Sequence, residues 1–307
     1  MRIEFAVIGG QKSGSTYIQS ILAAHPQVFM PEGEIPYFED PDYLEGGVQK
    51  LNELFKNQNS DLVWGIKRPN LLGSSQYASR LANEIGKAKL IVILRNPVVR
   101  LVSAYYHYMK DGFLPPLEFS KGIEKILNKD KSEYGRSPEV LEFGLYYKHL
   151  QEYFKYFSKD QILILLYDDL KNDKFKIIKK VYQFIGVDDS FNPNSVINKT
   201  PQKVIYSIKR QSFVRIANNL KYNYNSDRTR CHYKDQSFVE GVTCKLIKGI
   251  DKVILSNLFK NEKPKLNNQI HQKLYDYYKA DIENLEKLIN KDLTKWKYQS
   301  SKTLLVS

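Results

Sequence analysis

Cysteine is nearly absent from this 307-residue chain, which holds only Cys231 and Cys244. Two cysteines are too few for a disulfide scaffold or a cysteine-built zinc site, and neither has a CxxC partner. They read as two reduced thiols, with a single local disulfide as the alternative. Long hydrophobic runs are also missing. Ile91–Leu94 and Ile162–Leu166 are among the longest, far below the ~20 residues that span a bilayer. No internal repeat or low-complexity linker divides the chain. Residues Met1–Ile8 are too few and too acidic for a signal peptide and read as a strand that begins the fold at once. The expectation is a cytoplasmic protein with no membrane partner.

Acidic residues are outnumbered: 34 Asp and Glu face 47 Lys and Arg, for a formal net charge of +13. That excess favours anionic partners, among them nucleic acid, a membrane surface, a sulfated glycan or a phosphorylated cofactor. No helix-turn-helix, RNP-like or zinc-finger pattern accompanies it, so the nucleic-acid reading is disfavoured. With 42% hydrophobic and 26% charged residues, the composition is that of a globular protein. The length suits one domain over residues 1–307.

What is present is an alternation. Ile3–Ile8, Leu62–Ile66, Lys89–Leu94 and Gln161–Leu166 are β-type runs, and Leu90–Leu94 is apolar on both faces, as in buried parallel strands. Helical patterns lie between them at Thr16–His25, Pro97–Lys110, Leu141–Phe157 and Lys174–Ile185. Asn96 and Pro97 form a start signal, and Val98, Leu101, Val102, Tyr105 and Met109 make one apolar stripe. A long amphipathic helix runs from Ile270 to Leu288. The predicted fold class is α/β: a P-loop-like parallel sheet flanked by helices on both faces. A Tyr- and Lys-rich helical or loop lid over residues 200–268 and a C-terminal helix complete it.

The strongest chemical signal is Gly9-Gly10-Gln11-Lys12-Ser13-Gly14-Ser15-Thr16, placed after a strand and opening a helix. Glycines let the backbone turn tightly, and the N–H groups and dipole of the helix then face an anion. Gly9 and Gly14 have the spacing of a nucleotide-triphosphatase loop, but Ser15 stands where its lysine belongs. Lys12 lies inside the loop instead, which argues against a kinase or ATPase. The next strand ends in Arg95, a poor magnesium ligand and a good phosphate ligand. Ser103 follows on the helix after it. An arginine at a strand C-terminus with a nearby hydroxyl makes a second anion site.

The two segments together resemble the sulfotransferase family that uses 3′-phosphoadenosine 5′-phosphosulfate (PAPS), and in motif its bacterial and heparan-sulfate-type branch. Lys12-Ser13-Gly14-Ser15-Thr16 looks like the 5′-phosphosulfate loop. Arg95-Asn96-Pro97 with Arg100 and Ser103 looks like the 3′-phosphate motif R-x-P-x-x-R-x-x-S. The likeness continues through Gln161–Gly186 and is weak after about residue 190. It implies that Lys12, Ser13, Gly14, Ser15 and Thr16 hold the 5′-phosphate and its sulfuryl group, with Tyr17 extending the site. It implies that Arg95 and Ser103 hold the 3′-phosphate.

The cytosolic branch carries a histidine base in a segment like K-T-H-L-P. Here Gly65-Ile66-Lys67-Arg68-Pro69-Asn70 has none. Pro31-Glu32-Gly33-Glu34-Ile35-Pro36-Tyr37-Phe38 instead matches the E-x-x-x-F segment of the glycan-modifying and bacterial branches, so Glu34 is the candidate base and Glu32 its lower-ranked rival. Lys12 would stabilise the leaving phosphate oxygen. Lys67 matches the lysine of the glycan-branch K-S-P motif, with Arg68 in place of the serine. His107 and His25 resemble structural histidines of the family. No metal is implied. The acceptor expected is a small molecule, as in natural-product tailoring, presenting oxygen or nitrogen, with tyrosines of 206–233 lining its pocket. A heparan-sulfate-like glycan is the alternative acceptor. A nucleic-acid-binding or non-catalytic nucleotide-binding protein is the alternative of another class.

Overall fold

The computed structural model describes residues 2–128, 135–193, 204–264 and 266–297. Positions 200–203 and 265 of the expected lid lie outside the described residues. The chain forms two compact units: Met1–Asn96 with Phe143–Thr200 and Ala280–Leu293, and Pro97–Glu142 with Pro201–Lys279 and Thr294–Ser307.

In chain order the elements are β1 (Phe5–Gly9), α1 (Ser15–Ala23), β2 (Val28–Phe29), α2 (Gly47–Phe55), β3 (Val63–Lys67), α3 (Ser75–Ile85) and β4 (Lys89–Leu94). Next come α4 (Pro97–Lys110), α5 (Phe119–Leu127), α6 (Ser137–Glu142), α7 (Tyr146–Tyr153), β5 (Ile162–Leu166), α8 (Tyr167–Asn172) and α9 (Lys174–Ile185). The rest comprises α10 (Ile208–Lys221), the strands β6 (Tyr222–Tyr224) and β7 (Cys231–Tyr233), α11 (Phe238–Ile250), α12 (Ser256–Leu258) and α13 (Asn268–Ile289).

The first unit is built on a five-stranded sheet of order β2-β3-β1-β4-β5. Every adjacent pair is parallel, and helices flank the sheet. Parallel sheets bury both faces, and here they do. On one face Phe5, Val7, Ile91, Ile93, Leu163 and Leu165 pack with Ile18, Ile21 and Leu22 of α1 and with Ile178 and Val181 of α9. On the other, Ala6, Ile8, Leu90 and Val92 are buried as well. All four expected strands form. The two-residue β2 was not anticipated, because two residues carry no readable period. Strand order reverses across β1, the place where open α/β sheets take their ligands, and the loop Gly10–Gly14 leaves from there.

The expected helix Leu141–Phe157 is broken into α6 and α7. Gly144 weakens helix at that point by ~1 kcal/mol. A carboxylate remote in sequence then starts the new helix: Asp281 accepts from the N–H groups of Tyr147 and Lys148, each at 3.0 Å.

In the second unit, α4 buries the whole predicted stripe and most of its remaining face too, Ser103 included. The stretch 204–264 holds the helices α10 and α11 and a β6–β7 hairpin. Its tyrosines are partly structural. Tyr206 packs edge-on against Tyr106, and Tyr222, Phe113, Val214 and Lys110 are among the residues lining a cavity of about 450 Å³. Cys231 and Cys244 are free thiols.

Candidate active site

Four connections at the C-terminal ends of the sheet strands supply the site in the first unit. The loop after β1 turns through two left-handed residues, Lys12 (φ 61) and Gly14 (φ 105). Lys12 is not glycine, so it holds a conformation that costs ~1–2 kcal/mol. The loop is fastened from below by Gly10 N–H donating to the Ile93 carbonyl at 2.7 Å. The buried Gln11 amide donates to Asn70 Oδ1 at 3.1 Å, which ties the loop to the segment after β3.

α1 starts at Ser15 with no side chain capping it and no acidic residue in its first turn. Its positive dipole end is therefore not neutralised. The Ser13 hydroxyl is fully buried in the same turn and has no hydrogen-bond partner. A buried polar atom without a partner is costly, so such groups are normally satisfied. A bound oxyanion at this turn would satisfy both features. Ser15 is buried, Thr16 is exposed, and burial pushes the Tyr17 phenol up, so it remains a neutral donor.

Arg95 ends β4. Its guanidinium lies 4.7 Å from the Tyr167 ring centroid and 3.5 Å from the Lys12 carbonyl. Its own carbonyl accepts from the Tyr146 hydroxyl at 2.9 Å. The aromatic face holds the planar cation without neutralising it.

Lys67 is not the surface lysine that a strand end suggests: it is 4% exposed. Its ammonium donates to Thr16 Oγ1 at 3.3 Å and lies 3.3 Å from the Glu34 carboxylate. Arg68 Nη1 donates to Glu34 from the other side at 3.1 Å, and Arg68 Nε donates to Glu39 at 2.7 Å. The Glu34 loop is itself positioned. Ile35 N–H donates to the Lys67 carbonyl at 2.9 Å, and the Gln19 amide of α1 donates to the Pro31 and Gly33 carbonyls at 3.1 and 2.8 Å. The structure thus brings Lys12, Ser13, Gly14, Ser15, Thr16, Tyr17, Lys67, Glu34 and Arg95 into one unit. Glu32 is exposed.

Ser103 belongs to the second unit, as does Arg100, which is fully buried and donates to the Val140 carbonyl. His107 Nδ1 lies 3.4 Å from the Asp111 carboxylate on the next turn. His25 is buried at the end of α1. Its Nδ1 accepts from Gln27 N–H at 3.1 Å, so Nε2 carries the proton and donates to the Asp188 carbonyl at 2.9 Å. That bridge is structural.

The Sulfotransferase domain family matches residues 3–288. The chain belongs to that family.

Residues of this sulfotransferase are 27% identical over 215 positions to the mouse bifunctional heparan sulfate N-deacetylase/N-sulfotransferase 4, covering 65% of the chain and 24% of that protein. They are 26% identical over 326 positions to the membrane-associated sulfotransferase kil1 of Dictyostelium discoideum, covering 95% of the chain and 66% of that protein. The chain therefore spans about a quarter of the length of the first of these relatives. The crystal structure of a sulfotransferase from Alicyclobacillus acidocaldarius superposes with a TM-score of 0.66 at 19% identity, over 96% of this chain and 99% of that one. At that identity the likeness establishes the fold, which is the sulfotransferase α/β fold.

Sequence reasoning about this sulfotransferase missed Glu39, Tyr167 and the Gln11–Asn70 tie. Arg68 was noticed only as a departure from the family's serine. A signal existed for Arg68 alone, since it adjoins Lys67. The others lie 29 or more positions from their partners, where no local spacing points to them.

Proposed function

We propose that this sulfotransferase draws its sulfuryl group from PAPS and transfers it to a hydroxyl or amine of a small-molecule or natural-product acceptor in the cytoplasm, with Glu34 as general base. The observation that carries this reading is the Lys67 ammonium, 3.3 Å from Thr16 on the phosphate loop and 3.3 Å from Glu34. One cation thereby links the loop that takes the anion to the carboxylate that takes the proton.

The donor supplies a sulfuryl group on a phosphosulfate anhydride. The N–H groups opening α1, with the Ser13 and Thr16 side chains, bind its 5′-phosphate oxygens. Lys12 and Lys67 offset the negative charge that builds on the phosphate oxygen as its bond to sulfur breaks. Arg95 takes the 3′-phosphate. Glu34 removes the acceptor proton as the acceptor's oxygen or nitrogen bonds to sulfur, so the proton ends on the carboxylate and the electron pair on the phosphate.

A second reading, an anionic glycan acceptor, draws on the +13 charge and on the heparan-sulfate relatives. Metal-free calorimetry with adenosine 3′,5′-bisphosphate, ADP and ATP tests the donor. Binding of the bisphosphate well ahead of the other two is expected, and preference for ATP would overturn the assignment of both anion sites.

A further inference from the structure

A continuous helical segment closes the 204–264 stretch. α11 (Phe238–Ile250) runs through a π-helical turn, Asp251–Leu255, into α12 (Ser256–Leu258), giving roughly 30 Å of helix. One side of it is anchored. Cys244 and Ile247 are buried with Ala217, Phe213 and Leu220 of α10, and Asp251 forms a 2.8 Å ion pair with Arg210.

The opposite side faces solvent and is apolar. Phe238 is 86% exposed, Leu246 60%, Val253 66% and Leu258 68%. Phe238, Val242, Leu246 and Val253 recur at helical spacing along one stripe. Lys245, Lys248 and Lys252, all exposed, run along one flank of that stripe. The segment has two acidic residues, and both are engaged elsewhere. Glu240 closes a capping box with Ser237, and Asp251 holds Arg210. The free side of the helix therefore shows hydrocarbon and positive charge, and of the three lysines Lys248 also lines the cavity that holds Asp111 and Asp251. Soluble monomers rarely expose a contiguous apolar stripe of this size.

We propose that α11 and α12 are a membrane-surface element, laying this stripe into the headgroup boundary of an anionic lipid bilayer. The geometry is that of an interfacial amphipathic helix, with the apolar stripe inserted and the lysines at headgroup level. No helix among the described residues is long and apolar enough to cross a membrane, so the element lies on the surface. A second copy of the chain is a poor occupant. It would set one row of lysines against another between chains that each carry +13. An anionic bilayer satisfies the hydrocarbon and the lysines together. The inference does not depend on the donor or the acceptor of the transferase reaction.

The test is co-sedimentation of the 307-residue chain with phosphatidylcholine vesicles, with and without phosphatidylserine, alongside sedimentation velocity of the protein alone. Binding to the anionic vesicles, weakened by salt and absent on neutral ones, is expected. Lys245→Ala/Lys248→Ala/Lys252→Ala should lower it about a hundredfold, at roughly fivefold per lysine. Leu246→Glu/Val253→Glu should abolish it with the circular dichroism spectrum unchanged. The proposal is overturned if no vesicle is bound, or if binding survives the glutamates. It is also overturned if the chain forms a dimer that the glutamates dissociate, which would give the stripe to a second copy.

Discussion

The buried ammonium of Lys67 stands 3.3 Å from the carboxylate of Glu34. The lysine comes from the end of β3 and the glutamate from the loop after β2. The Ile35 N–H to Lys67 carbonyl bond holds the two backbones in that relation. Burial keeps the cation in a low-dielectric setting, where its pull on a neighbouring carboxylate or on a phosphate oxygen exceeds that of a surface lysine.

Glu34→Gln keeps the shape of the side chain and removes its capacity to accept a proton. Turnover should fall ~10²–10⁴-fold, the usual worth of a general base. Affinity for adenosine 3′,5′-bisphosphate should hold. Steady-state sulfuryl transfer and calorimetry read the two quantities separately. Full activity in this variant would remove Glu34 from the role of base.

Arg68 binds Glu34 and Glu39 at once, and both Arg68 and Glu39 are mostly buried, at 18% and 15% side-chain exposure. Arg68→Met leaves the Glu39 carboxylate without its guanidinium and should cost about 1–3 kcal/mol of stability. Arg68→Met/Glu39→Gln should recover much of that loss, because the stranded charge is gone. Urea unfolding of the wild type, both single variants and the double closes the cycle. A double variant as unstable as the sum of the singles would show that the pair is not coupled.

Gly14 lies at φ 105, and a Cβ there would come 3.1 Å from Tyr167, the ring beneath Arg95. Gly186 has φ 85 at the end of α9, with nothing within 4 Å of its would-be Cβ. Alanine at either position pays the left-handed penalty of roughly 1–2 kcal/mol. Thermal unfolding midpoints should therefore fall in both variants. Only Gly14→Ala should also lose bisphosphate affinity, by tenfold or more. Equal affinities in the two would mean that the turn at Gly14 takes no part in holding the donor.

The strands β1, β3, β4 and β5, the helices α1, α4, α9 and α13, and the turn between β1 and α1 were legible in the amino-acid order, because each depends on neighbours. Hydrophobic period, a glycine-serine turn between a strand and a helix, and an arginine at a strand end are all local patterns. The family resemblance rested on the same short segments. β2 and the break between α6 and α7 were not legible. The first is too short to show a period, and the second depends on Asp281, more than 130 positions from the backbone it serves.

The sequence by itself determined the parallel sheet and the glycine-serine turn between β1 and α1. Only the tertiary structure decided that Lys67 is buried between Thr16 and Glu34, that Arg68 joins Glu34 to Glu39, and that the helix after Ser237 turns its hydrocarbon outward. The physical reason is range. Turns and periodicity are set by bonded neighbours, whereas burial and ion pairing depend on which distant segments the folded chain places side by side.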